Sequence, residues 1–166
     1  MNRIYCIKPY KTFKKVTFYS ICAEGATKNI TQEFFERYED DVELEESLNK
    51  MVFWLFEVGE KRGALRELFR DEDFAVALPP PRRFLAANEQ ADLRLYCIWL
   101  SESAVILLSG AQKTADGAEY CPNCRPHFQF ANKVAEKVFY YFEMGDFSLD
   151  RNGRLIFTNG DNTIEI

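Results

Sequence analysis

The chain has 166 residues, 47% of them hydrophobic and 15% aromatic, with 15 Phe and 8 Tyr, and it carries a formal charge of −5. That is enough chain for one domain burying about two thirds of its unfolded surface with no disulfide or metal to hold it, and too apolar a composition for disorder. The negative charge argues against a general nucleic-acid coat, and no apolar run approaches the roughly 20 residues that span a bilayer, so a cytoplasmic protein with no membrane partner is expected.

The first apolar and β-branched runs, 3–8 and 16–22, read as strands, with the basic group Lys8, Lys11, Lys14 and Lys15 ahead of the second. Thr31, followed by Gln32, Glu33 and Phe34, predicts a helix over 31–38. A second helix should start near Asp41 or Val42, with Leu44, Leu48, Met51, Val52, Leu55 and Phe56 on one inward face, pause at Gly59, and regain a turn or two over 63–70. The acids Glu33, Glu36, Glu39, Asp40, Asp41, Glu43, Glu45 and Glu46 make this region a solvated acidic surface.

Three prolines, Pro79, Pro80 and Pro81, end helical structure and hold an extended lead into Arg82 and Arg83. Runs at 93–100 and 104–108 flank Ser101-Glu102-Ser103 and predict a hairpin, which brings Arg94 near its start and Lys113 just past its end together as a local positive spot. After a turn at Asp116-Gly117, a helix follows with Phe128, Phe130, Ala131, Val134, Val138, Phe139, Tyr141 and Phe142 over a wide apolar arc. The chain closes with 147–149, Asn152-Gly153 and 154–157, a type I′ hairpin signal. The expected fold class is α+β: a twisted antiparallel sheet packed with N-terminal helices and a C-terminal helix, plus a terminal β-hairpin.

Five cysteines (Cys6, Cys22, Cys97, Cys121 and Cys124) are odd in number and lack framework spacing, which suits reduced thiols. Cys121-Pro122-Asn123-Cys124 with His127 is short of a fourth zinc donor, since the other cysteines fall in predicted strands. A thioredoxin-like redox reading has only the helix half of its context, so inert cysteines at a helix start are the default. His127 is the only histidine, and neither a GxSxG elbow nor a phosphate-binding glycine loop accompanies it. No metal or cofactor is expected. What remains is the group around the hairpin: Arg82, Arg83, Arg94, Lys113 and Tyr120. Cations converging on a cleft can hold a phosphodiester and stabilise charge developing during its cleavage, and a tyrosine can move a proton.

The LRLYC strand, the VILLSG strand and the following KT resemble the RelE/ParE superfamily of bacterial toxins, in its HigB-like branch. The resemblance is loose over 30–140 and most specific over 93–120. It implies one RelE-like domain over 1–166 with additions at both ends, belonging to a type II toxin-antitoxin module. The implied activity is metal-independent mRNA cleavage, with mRNA met free or on the ribosome, and the implied partner is an antitoxin protein. By position, Arg94, Lys113 and Tyr120 would be catalytic, and Arg82, Arg83 and His127 would bind substrate. Where such toxins carry a double-lysine exit, this chain has Gln112-Lys113, and unlike them it is acidic. The competing expectation is a non-catalytic protein-interaction module on the same sheet.

Overall fold

In the computed structural model, which describes residues 2–115, 117 and 120–166, the hairpin read from the sequence forms the middle of a seven-stranded sheet. Its strands are β5 (Leu93–Ser101) and β6 (Ala104–Gln112), the second longer than expected. The sheet also contains β1 (Ile4–Thr12), β2 (Thr17–Ala23), β3 (Arg70–Glu72), β4 (Ala75–Leu78) and β9 (Thr163–Glu165), in the order β3-β4-β5-β6-β2-β1-β9. Neighbours are antiparallel except β2 and β6, which run parallel through Thr17, Phe18 and Tyr19. Both faces are covered, which is why β5 and β6 read as continuous apolar runs.

On one face lie α1 (Ile30–Tyr38) and α2 (Glu45–Phe56), which close over Phe18, Leu93, Leu95, Cys97, Val105 and Leu107. On the other, α3 (Arg125–Glu143) packs Ala131, Val134, Ala135 and Val138 against Tyr96, Ile98, Ile106 and Leu108. Each large side chain buried in these layers contributes about 1.5–3 kcal/mol. The final hairpin, β7 (Phe147–Leu149) with β8 (Leu155–Phe157), is a separate two-stranded sheet that joins the α3 layer through Phe147. No helix among the described residues is long and apolar enough to cross a membrane.

Several local expectations change. The first helix starts one residue earlier, capped by Asn29, whose side chain accepts the Gln32 N–H while the Gln32 side chain accepts the Asn29 N–H. Thr31 is instead fully buried: its hydroxyl donates to the Leu108 carbonyl at 2.9 Å and meets Ser20 at 2.7 Å. The inward face of α2 is Ser47, Met51, Trp54 and Leu55, while Val52 and Phe56 are exposed. The helix does not pause at Gly59. It widens into a π-helical turn over Glu57–Arg62 and stops at Gly63, at φ +81°. Gly59 is needed because a Cβ there would collide with the Phe13 ring. The 63–70 stretch keeps only a 3₁₀ turn at Arg66–Leu68, and the residues beyond it enter strands β3 and β4 before the prolines. Arg82–Phe84 is a 3₁₀ turn rather than extended. In the last hairpin only Gly153 has positive φ, so the turn is not type I′. The Gly153 N–H returns to the Asp150 carbonyl at 2.9 Å and the Asp150 N–H to that of Arg154 at 2.8 Å, the type I turn with a glycine bulge. The turn expected at Asp116-Gly117 lies, at Asp116, outside the described residues.

The C-terminal half of β6 pairs with β5 on one edge, but among the described residues no strand continues β2 along its other edge. Beyond Ile106, α1 takes the place of β2: Thr31 binds the Leu108 carbonyl, and Arg37 Nη1 donates to that of Gly110 at 3.0 Å. These side chains satisfy carbonyls that a ladder would otherwise use.

Candidate functional site

A β-bulge builds the site. Leu95 pairs with Gly110 and Cys97 with Leu107, so β6 carries one residue more than β5 across this interval. Because side chains alternate along a strand, the extra residue switches the face presented by the rest of β6. Ala111 therefore lies opposite Arg94 on the α3 face, and continuing the register puts Lys113 beside Asp92, whose carbonyl accepts the Lys113 N–H at 2.6 Å. At the bulge the strands approach so closely that a Cβ on Gly110 would collide with the Arg94 carbonyl.

On the same face, β4 offers only Ala75 and Ala77, which leaves room over it for longer neighbours. Arg70 pairs with Ala77 and Glu72 with Ala75, so both edge-strand side chains share the face of Arg94 and Tyr96. Asn132 of α3 pins the β3–β4 turn by accepting the N–H groups of Phe74 and Ala75, and Asp73 in that turn has φ +71°.

Glu72 is the carboxylate among these cations. Burial pushes its carboxyl up, while Arg94, Arg70 and Lys113 draw it back. Burial pushes the Arg94 guanidinium down, with Glu72 the first of the groups opposing that. Arg70 is lowered to about 10 by burial and then by Arg94, and Arg82 adds to the repulsion. Four cations thus act on or around one half-buried carboxylate.

Much of their hydrogen-bonding capacity is committed to main chain. Arg94 is only 6% exposed and donates from Nη1 to the carbonyls of Ala91 and Leu93 at 2.6 and 3.1 Å. Arg70 donates to Pro79 and Pro80, and Arg82 to Glu89 and Ala87. Of the other residues expected in the site, Arg83 lies over the Phe84 ring, 4.8 Å from its centroid. Tyr120 is exposed, its N–H bonded to the Gly117 carbonyl. His127 is half-buried and held below its ordinary pKa by burial and then by Arg37 of α1. The fold therefore brings Arg94 and Lys113 to Glu72, and Arg82 reaches the group only through Arg70, whereas Arg83 and His127 face other neighbours. Arg70 and Glu72 were missed from sequence. The signal for them was an Arg-x-Glu pair ahead of AVAL, which a strand places on one face.

At the start of α3, Cys121 and Cys124 are buried beside this cluster, and Cys124 is one of the groups acting on Arg94 and Tyr96. Among the described residues no group of three His, Cys, Asp or Glu side chains is arranged to hold a metal ion. Compared with known proteins, the chain matches no family model, and no curated protein or solved structure is significantly similar to it.

Proposed function

We propose that the chain is a RelE/HigB-like toxin component that cleaves mRNA without a metal and is neutralised by a separate antitoxin protein in the bacterial cytoplasm. The observation that supports this reading best is the gathering of Arg70, Arg94 and Lys113 about Glu72 at one end of the β5–β6 hairpin, with Arg82 beside Arg70. In this reading the cations hold the scissile phosphodiester. Glu72, with its carboxyl raised toward the working pH, takes the proton of the ribose 2′-hydroxyl. The 2′-oxygen then bonds to phosphorus, the bond to the 5′-oxygen breaks, and Lys113 or Tyr120 supplies that oxygen's proton. Charge developing on the phosphoryl oxygens falls among fixed cations in a partly dry site, where they act most strongly.

A second reading, a non-catalytic interaction module, is favoured by one specific observation. Arg70, Arg82 and Arg94 all spend guanidinium donors on backbone carbonyls, as braces of the fold would.

The test is tightly controlled induction of wild type, Glu72→Gln and Lys113→Ala in bacteria, with growth and total mRNA integrity followed together and a thermal melt of each purified protein. Loss of a general base costs about 10²–10⁴ in rate. Arrest with mRNA loss in wild type, abolished in a Glu72→Gln protein that melts normally, is the expected result. Full toxicity in both variants overturns the site, and soluble folded wild type without arrest moves the reading to the interaction module.

A further inference from the structure

The Cys121-Pro122-Asn123-Cys124 segment plays no part in the proposed cleavage, yet its surroundings are built. The segment leads directly into the 19-residue α3: the Cys121 carbonyl accepts the Arg125 N–H at 2.9 Å, and Cys124 is the N-cap. One turn sets the α-carbons of residues i and i+3 about 5 Å apart, within the span a disulfide bridges. Thr114, just past the β6 exit, aims both its N–H, at 3.3 Å, and its hydroxyl, at 3.4 Å, at the Cys121 sulfur. The Gln112 carbonyl lies 3.7 Å from one sulfur and 3.6 Å from the other.

Two physical effects separate the thiols. Burial pushes Cys121 up, but the bonds from Thr114 and from the thiol and N–H of Cys124 outweigh it and bring Cys121 down to about 6. Burial, and then the hydrogen bond to Cys121, push Cys124 up to about 11. A thiolate beside a protonated thiol at a helix N-terminus is the state in which one sulfur attacks and the other resolves. A further observation is independent of the helix end. The Tyr96 hydroxyl, in a side chain 1% exposed, is buried with no hydrogen-bond partner of good geometry among the described residues and leans on the Cys124 sulfur. Of the remaining cysteines, Cys97 is buried in β5, its thiol raised by desolvation, and Cys22, opposite Cys6 in the β1–β2 ladder, directs its thiol at the carbonyls of Ala23, Ala26 and Lys28.

We propose that Cys121 and Cys124 form a redox-active dithiol that closes to an intramolecular disulfide when a hydroperoxide oxidises Cys121. The Cys121 sulfur attacks the terminal peroxide oxygen: an S–O bond forms, the O–O bond breaks, and the departing alkoxide or hydroxide takes a proton. Cys124 then loses its proton and attacks the Cys121 sulfenic sulfur, forming S–S as the S–O bond breaks and hydroxide leaves as water. Two thiols and one hydroperoxide give one disulfide, one alcohol or water, and one further water. Cys121 and Cys124 are 0% and 1% exposed, which restricts the oxidant to one no bulkier than hydrogen peroxide. The inference does not rest on RNA cleavage.

The test treats the full-length reduced protein with hydrogen peroxide, blocks remaining thiols, and maps cysteines by peptide mass before and after reduction. The expected result is loss of alkylation at Cys121 and Cys124 alone, with the two peptides linked until reduced. The Cys124→Ser variant should stop at a sulfenic acid that dimedone traps on Cys121. On the untreated protein, the alkylation rate of Cys121 against pH should have its midpoint near 6, and Thr114→Val should move that midpoint up by about one unit. Free thiols at both positions after peroxide, or a bridge through Cys6 or Cys22 instead, overturns the proposal. So does a Cys121 midpoint at the ordinary value for a free thiol.

Discussion

Gly110→Ala tests whether the bulge sets the geometry of both hairpin and site. A Cβ at this position runs into the Arg94 carbonyl, which is backbone and cannot rotate away, so β5 and β6 must separate at the Leu95–Gly110 pair. Forcing extra volume into a packed site costs about 1–3 kcal/mol, and each of the two ladder bonds disturbed there adds about 1 kcal/mol. The sum is about 3–5 kcal/mol. At 2–4 °C per kcal/mol for a chain of this size, that lowers Tm by about 6–20 °C. Differential scanning calorimetry on wild type, Gly110→Ala and Gly145→Ala makes the comparison. Gly145 has φ +82° and open space around its missing Cβ, so it reports the left-handed backbone cost alone, about 1–2 kcal/mol. A Gly110→Ala protein melting within the range of Gly145→Ala would refute the close approach of the strands.

Two further outcomes follow from the packing and the titrating groups. Phe147 is 2% exposed, with ring centroids of Tyr141, Phe157 and Phe142 at 5.0, 5.2 and 6.0 Å, so Phe147→Ala should cost about 3–5 kcal/mol by urea unfolding and loosen the β7–β8 hairpin first in hydrogen exchange. His127 is held below 6.5 in the folded chain, so its stabilising contribution is complete above the unfolded value and drains away as pH falls through the lowered folded one. The decline in urea midpoint between about pH 7 and about pH 5 should be shallower in His127→Gln than in wild type.

The hairpin was legible because two β-rich runs around a short polar turn leave few alternatives, and with it the meeting of Arg94 and Lys113. The burial of Arg94 was not legible, because what covers it is α3, thirty residues on, and the resulting desolvation has no local signature. β3 and β4 are three and four residues long and end against a proline run, too short for a period to show. Arg70 consequently reads as a helix tail in the sequence, and no periodic pattern marks Glu72. On α2 the periodic stripe was nearly right in phase, but Trp54 rather than Phe56 turned inward, since Ser47, Met51, Trp54, Leu55 and Val58 follow steps of three and four that leave Phe56 to one side. The terminal hairpin formed where Asn152-Gly153 predicted it, through a different turn, because Asp150 accepts the N–H groups of both Asn152 and Arg154 and so organises the loop itself.

The way α1 completes the sheet has a consequence for association. A strand with open carbonyls is a template for any extended chain that passes, and proteins commonly blunt such edges with charge or a covering element. Here the edge of β6 that β2 leaves unpaired sits in the interior of the sheet order and is plugged by a threonine and an arginine from a nine-residue helix. Those two contacts make α1 a stopper: while it is seated, the molecule offers no internal slot for a foreign strand. Unseating it would uncover a half-length groove between β2 and β6, already lined with acceptors at Leu108 and Gly110. The outer strands, β3 and β9, are three residues each, which leaves little edge there for a foreign chain to pair with.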